Sequence, residues 1–104
     1  MPAPSQVLLP LQGDLTTPQA EATRDQIMNA LREHSAVVLD CSGATDMDVT
    51  FVQILVAAAR AAINSGKVIR LSSTPSELMV GTLRRCGFSP SEAPAASLTE
   101  LLSL

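Results

Sequence analysis

The sequence predicts an α/β fold: one small central, mostly parallel β-sheet flanked by helices. Three observations carry that prediction. Short apolar segments alternate along the chain with amphipathic segments of helix length. One of the short segments, Ala36–Cys41 (AVVLDC), is a nearly continuous apolar run, as a strand covered on both faces requires. Helix-start signals recur ahead of the longer segments. The 104 residues provide chain for one domain with one core.

Taken in order, residues 1–5 read as a flexible N-terminus and Gln6–Gln12 (QVLLPLQ) as the first strand. Pro10 inside it cannot donate to a ladder, so the strand belongs at an edge or carries a bulge. Gly13-Asp14-Leu15-Thr16 turns the chain, and Thr17 caps a helix whose first position is Pro18. That helix runs to Glu33 with Ala20, Ile27, Met28 and Leu31 on one stripe. Ala36–Cys41 is the second strand, followed by a loop over Ser42–Val49.

Thr50 and Gln53 have capping-box spacing and open a second helix over Phe51–Ser65. It is apolar on most sides, and its alanines permit close packing. Gly66 ends it, and Lys67–Leu71 is the third strand. Thr74-Pro75-Ser76-Glu77 starts a third helix that ends near Cys86 with Gly87 as its cap. Ser89–Ala96 is a Ser/Pro/Ala linker, and the capping box Ser97-Leu98-Thr99-Glu100 opens a short last helix through Leu102.

Composition removes several functions. A formal net charge of −3 and two aromatic residues leave neither the basic footprint nor the stacking platform of a nucleic-acid binder. An apolar share of 46% excludes intrinsic disorder. No segment reaches the about 18–20 apolar residues of a membrane span, and the N-terminus has no secretory pattern, so a cytoplasmic protein without membrane insertion is expected. Cys41 and Cys86 lack CxxC spacing and have one histidine, His34, for company. They read as small buried hydrophobes in a reducing compartment rather than as metal ligands.

Three places could carry chemistry. Asp14, Asp40, Asp46 and Asp48 would share the carboxyl edge of a parallel sheet, where a Mg²⁺-dependent site, receiver-like or enzymatic, can form. Against this, the third strand ends in Leu71-Ser72-Ser73 without the lysine a receiver needs, and turn chemistry accounts for aspartates at such places. Nucleophilic catalysis lacks a general base: His34 sits beside Glu33 at a helix end, and no GxSxG, phosphate loop or GxGxxG occurs. The junction Met47-Asp48-Val49-Thr50-Phe51 presents a helix N-terminus to an acidic group or carries one on a hydroxyl; a plain capped helix start is the other reading.

At this junction the sequence resembles the STAS domain, the family of anti-sigma factor antagonists. The stretch Val37–Pro90 carries the likeness through Asp40, Asp48, Leu55, Gly66, Leu71, Leu83 and Gly87-Phe88, with Gln12-Gly13-Asp14-Leu15 upstream. The resemblance implies a small STAS-like α/β sandwich without catalytic activity or cofactor. It implies binding to an anti-sigma factor or kinase-type ATPase in a bacterial sigma-factor or chemotaxis-like pathway, switched by phosphorylation of the hydroxyl residue after the aspartate. An alternative within the family is a STAS subunit of a lipid-transport ABC complex, where proteins without that hydroxyl occur.

This chain departs from the pattern at the switch. Val49 follows Asp48 and has no hydroxyl, Thr50 holds the second hydroxyl position and becomes the substitute phosphorylation candidate, and Phe51 stands in place of glycine. Thr16 replaces a family aspartate. The expected partner surface is Asp14, Thr16, Asp46, Met47, Asp48, Val49, Thr50, Phe51 and Gln53, with Phe51 either an interface anchor or a staple on its own loop. With only five residues ahead of Gln6, the first strand is expected to leave an edge open for a partner or for a second copy in a homodimer.

Overall fold

The computed structural model describes residues 5–72 and 75–88. The chain runs β1 (Gln6–Pro10), β2 (Gly13–Leu15), a 3-10 turn (Thr17–Gln19), α1 (Ala20–Glu33), β3 (Ala36–Asp40), β4 (Ala44–Met47), α2 (Val49–Asn64), β5 (Val68–Leu71) and α3 (Glu77–Arg85). The expected linker 89–96, the last helix and the cap at Thr74 lie outside the described residues.

The main sheet is parallel with strand order β1-β3-β5. Its centre is the continuous apolar run: Val37, Val38 and Leu39 of β3 are all buried. β1 stands at the edge, where the missing N–H of Pro10 costs the ladder least. Ser5, expected to be loose, is tied to the start of β3: its carbonyl accepts from the Ser35 and Ala36 amides at 3.1 and 3.0 Å. Its own amide donates to Ser35 Oγ at 2.8 Å.

Strand order rises steadily across this sheet, and crossovers between parallel strands are right-handed in nearly all proteins. Two such crossovers made in one direction place α1 and α2 on the same face. The core agrees: Val37, Leu39, Ile69 and Leu71 join Ile27 and Leu31 of α1 and Leu55, Ala58, Ala59 and Ala62 of α2 in one buried cluster. Val7 and Leu9 pack on it from β1. The alternate residues, in register Leu8–Val38–Arg70, point the other way.

β2 and β4 correct the sequence reading, which had a turn and a loop there. They pair parallel with each other in a separate two-stranded ladder, Asp14 opposite Asp46 and Leu15 opposite Met47. Strands of three and four residues are too short for a period of two to show. Burial of Leu15 and Met47 supplies what propensity does not.

The helix ends follow local rules, with three corrections. The 3-10 turn is flanked by Thr16, which makes no side-chain cap bond, so Thr17 is not the cap the sequence predicts. α2 is capped by Asp48 rather than by a Thr50/Gln53 box. α3 is capped by Ser76, whose hydroxyl accepts from the Met79 amide at 3.2 Å. Gly66 and Gly87 follow α2 and α3 with φ of 66° and 90°, the left-handed conformation that closes a helix C-terminus with least strain. Among the described residues no helix is long and apolar enough to cross a membrane.

Leu55, fully buried at the middle of α2, reports on this packing. Leu55→Ala should lower the unfolding free energy by about 2–5 kcal/mol in a urea titration. An unchanged midpoint would mean that α2 does not seat on the sheet as described.

Candidate functional site

Asp48 organises the junction between the two ladders and the helices. Its Oδ1 accepts from the Thr50 amide at 3.0 Å and the Phe51 amide at 3.4 Å, which caps α2. Its Oδ2 accepts from the Thr17 amide at 3.0 Å and the Thr17 hydroxyl at 2.9 Å. One carboxylate thus ties the start of α2 to the turn that leads into α1. The Thr17 and Thr50 hydroxyl oxygens are 3.0 Å apart. An ionised carboxylate only accepts, so the Thr17 proton goes to Asp48 and the Thr50 hydroxyl donates to Thr17.

Partial burial pushes the Asp48 carboxyl up. The bonds from Thr17, Phe51 and Thr50 outweigh it and hold the group below its usual value of 3.8. The other aspartates are used locally. Asp40 accepts from the Ser42 hydroxyl at 2.6 Å and the Ser42 amide at 3.0 Å, and these two bonds hold it below 3.8 against its partial burial. Asp14 accepts from the amide and hydroxyl of Thr16, and Asp46 from the Met47 amide at 2.9 Å. Among the described residues no three His, Cys, Asp or Glu side chains converge as a metal set. The shared acidic edge expected from the sequence is divided, because Asp14 and Asp46 belong to the short ladder and Asp40 to the main sheet.

The residues of the expected partner surface divide by exposure. Asp14 and Asp46 stand side by side and exposed on neighbouring strands, with half-buried Thr16 bonded to Asp14. Val49 is 54% exposed at the first position of α2, and exposed Gln53 lies one turn on. Thr50 and Asp48 are half-buried between them.

Two residues drop out. Phe51 is 1% exposed and Met47 4% exposed, so neither reaches a partner. Phe51 shares the inward stripe of α2 with Leu55, Ala58 and Ala62, and Met47 packs opposite Leu15 in the short ladder. Both are core residues.

The structure also shows what sequence reading missed: Ala57 extends Val49 and Gln53 into a ridge on α2, exposed at each turn. A shallow groove runs along each side of it. One is lined by Ala20, Arg24 and Ile54, the other by Val52, Val56, Arg60 and Phe88. The four-residue spacing of Val49, Gln53 and Ala57 is the sequence signal that could have found the ridge. The link from Thr17 to Asp48 spans 31 positions and has no local signature.

The remaining singled-out groups are structural. Burial, with the Asp40 charge beside it, pushes the Cys41 thiol up to about 12, so it stays protonated and packs as a small hydrophobe. His34 ends α1, its Nδ1 3.2 Å from Ser5 Oγ. The cation that serves the α1 C-terminus is Lys67, whose ammonium donates to the Leu31 and Arg32 carbonyls.

A family model described as "Mlab, STAS domain" matches residues 3–90, which include the whole junction. No curated protein matches the chain. A solved structure described as "Crystal Structure Analysis of Mglu" superposes with a TM-score of 0.59 at 22% sequence identity, covering 70% of this chain and 18% of that one. That likeness is one of fold, and this chain spans less than a fifth of the length of that protein.

Two outcomes test the junction. Because the Asp48 pKa is lowered in the folded state, its contribution to stability is complete above 3.8 and is lost as pH falls through the folded value. Asp48→Asn keeps a cap acceptor but not the titration, so the fall in melting temperature between about pH 5 and pH 2 should be shallower in the variant. Equal acid slopes in both proteins would remove Asp48 from this role. Thr17→Val, which deletes the bridging hydroxyl, should lower the melting temperature by about 4–8 °C in a thermal scan at neutral pH.

Proposed function

The chain belongs to the STAS domain family, and from that premise we propose that it is a non-catalytic protein-binding module whose docking surface is permanently available. The observation that supports this is Val49. The position where the family resemblance puts a switch hydroxyl is an exposed aliphatic side chain, 54% accessible, on the first turn of α2. Phosphorylation cannot occur there. The one hydroxyl beside it, Thr50, is half-buried and bonded to Thr17. A phosphate on Thr50 would set its charge against the Asp48 carboxylate and break the bridge that holds α1 to α2.

The docking surface consists of Asp14, Thr16, Asp46, Asp48, Val49, Thr50 and Gln53. It combines exposed, apolar Val49 with polar groups that include the exposed pair Asp14 and Asp46. Exposed apolar and polar groups together suit protein association. The partner is a kinase-type ATPase of a bacterial regulatory pathway, and binding persists without a phosphorylation cycle. A second reading, a subunit of a lipid-transport ABC complex, is favoured by one observation: the matching family model is described as Mlab, a STAS domain.

Affinity capture with the tagged full chain tests both. The expected result is recovery of one ATPase, kinase-type for the first reading and transporter-type for the second, with recovery cut about tenfold or more by Val49→Asp. Equal recovery with Val49→Asp would overturn the surface. Phe51→Ala should lower the unfolding free energy by about 3–5 kcal/mol, as a core truncation does, so reduced capture with that variant reports on folding.

A further inference from the structure

Of the two grooves beside the α2 ridge, one carries a single sign of charge. It is lined by Val49, Val52, Val56 and Arg60 of α2 and by Cys86 and Phe88 at and beyond the end of α3. α2 contains no Asp or Glu, and the last turn of α3 ahead of Cys86 holds Arg84 and Arg85, both exposed. The groove on the other side of the ridge is mixed: Arg24 lies there beside Glu21, and its guanidinium pairs with Asp25 at 3.4 Å.

The apolar part of the Arg60 groove has the spacing of a helix seam. Val49, Val56 and Ile63 recur at every seventh residue of α2. Val49 and Ile63 are 54% and 53% exposed, and Val56 is half-buried between them. Positions seven apart fall on nearly one line down a helix, drifting by about 20°. A second helix packs along such a line, with its apolar side chains between those of the first. The groove holds about 340 Å³, near the lower limit of small-molecule pockets at about 300 Å³. Gln53 and Arg60 are its hydrogen-bonding side chains, too few to converge on a small ligand, whereas apolar side chains of a helix fit it.

Charge decides which helix. A second copy of this chain would bring α2 against α2, which offers Arg60 no carboxylate. At the Val49 end, Asp46 stands three residues earlier in the chain, with Asp14 opposite it on β2. Arg60 lies eleven residues further on, about 16 Å along the helix. That is twice the Debye length of about 8 Å at physiological salt, so the two ends act as separate electrostatic sites. Carboxylates of a partner are drawn to the Arg60 end and repelled from the Val49 end.

Building on the protein-binding reading of the α2 surface, we propose that this groove receives an amphipathic helix of the partner protein. The helix lies along the Val49–Val56–Ile63 line with its carboxylates at the Arg60 end.

Two helical peptides titrated into isotope-labelled full-length protein test this. One has leucines on one side flanked by glutamates; its twin has lysine at every glutamate. The glutamate peptide should bind at least about tenfold more tightly than the twin, with amide shifts centred on Val49, Val56, Ile63 and Phe88. Arg60→Glu, at an exposed position, should shrink that ratio several-fold, and added salt should weaken the glutamate peptide. Equal affinity for the two peptides, no binding of either, an unchanged ratio in Arg60→Glu, or shifts centred on Ala20 and Arg24 would each overturn the proposal. If Val49→Asp abolishes ATPase capture while the two peptides bind equally, the helix groove fails and the protein-binding reading stands. If the glutamate peptide binds as expected and no ATPase is captured, the groove stands and the ATPase partner fails.

Discussion

The carboxylate of Asp48 is the interaction on which the rest of the arrangement depends. Its two oxygens take four donors: two amides that open α2, and the amide and hydroxyl of Thr17 ahead of α1. The start of α2 is capped by the residue immediately before it, and the turn ahead of α1 borrows the same carboxylate. Both are joined through a residue that belongs to one of them only. The bonds persist because the carboxyl is held ionised, and an ionised acceptor makes the stronger hydrogen bond. The link also brings the ends of β2 and β4 beside the first turn of α2, so that short strands and helix share one surface.

That arrangement sorts the residues of the junction by what each can do. Thr50 faces inward to Thr17, and its hydroxyl is committed to structure. Phe51 continues the buried stripe of α2. Val49, two residues before Phe51, is turned to the opposite side by about 200° of helix rotation and meets solvent.

Much of the fold was legible because its signals are local. The unbroken apolar run of β3 announced a buried central strand, and Pro10 announced an edge. Gly66 and Gly87 marked where α2 and α3 stop. The short ladder of β2 and β4 was not legible, since three or four residues carry no period and the pairing joins positions about thirty apart. For the site, Asp48 and Val49 could be picked out by their place before a helix. Phe51 and Met47 could not be sorted, because composition says that a residue is apolar and only packing says which way it points.

By itself, then, the chain determines an alternation of strands and helices, the identity of the central strand and the absence of a hydroxyl after Asp48. These are properties of neighbouring residues, and backbone sterics and periodicity express them without reference to the rest of the molecule. Tertiary structure decided that Asp14 and Asp46 belong to one ladder and Asp40 to the other, that Lys67 bonds the last carbonyls of α1, and that Phe51 is core while Val49 is surface. Those outcomes depend on contacts between residues far apart in sequence. Such contacts form when the core closes, and no local rule encodes them.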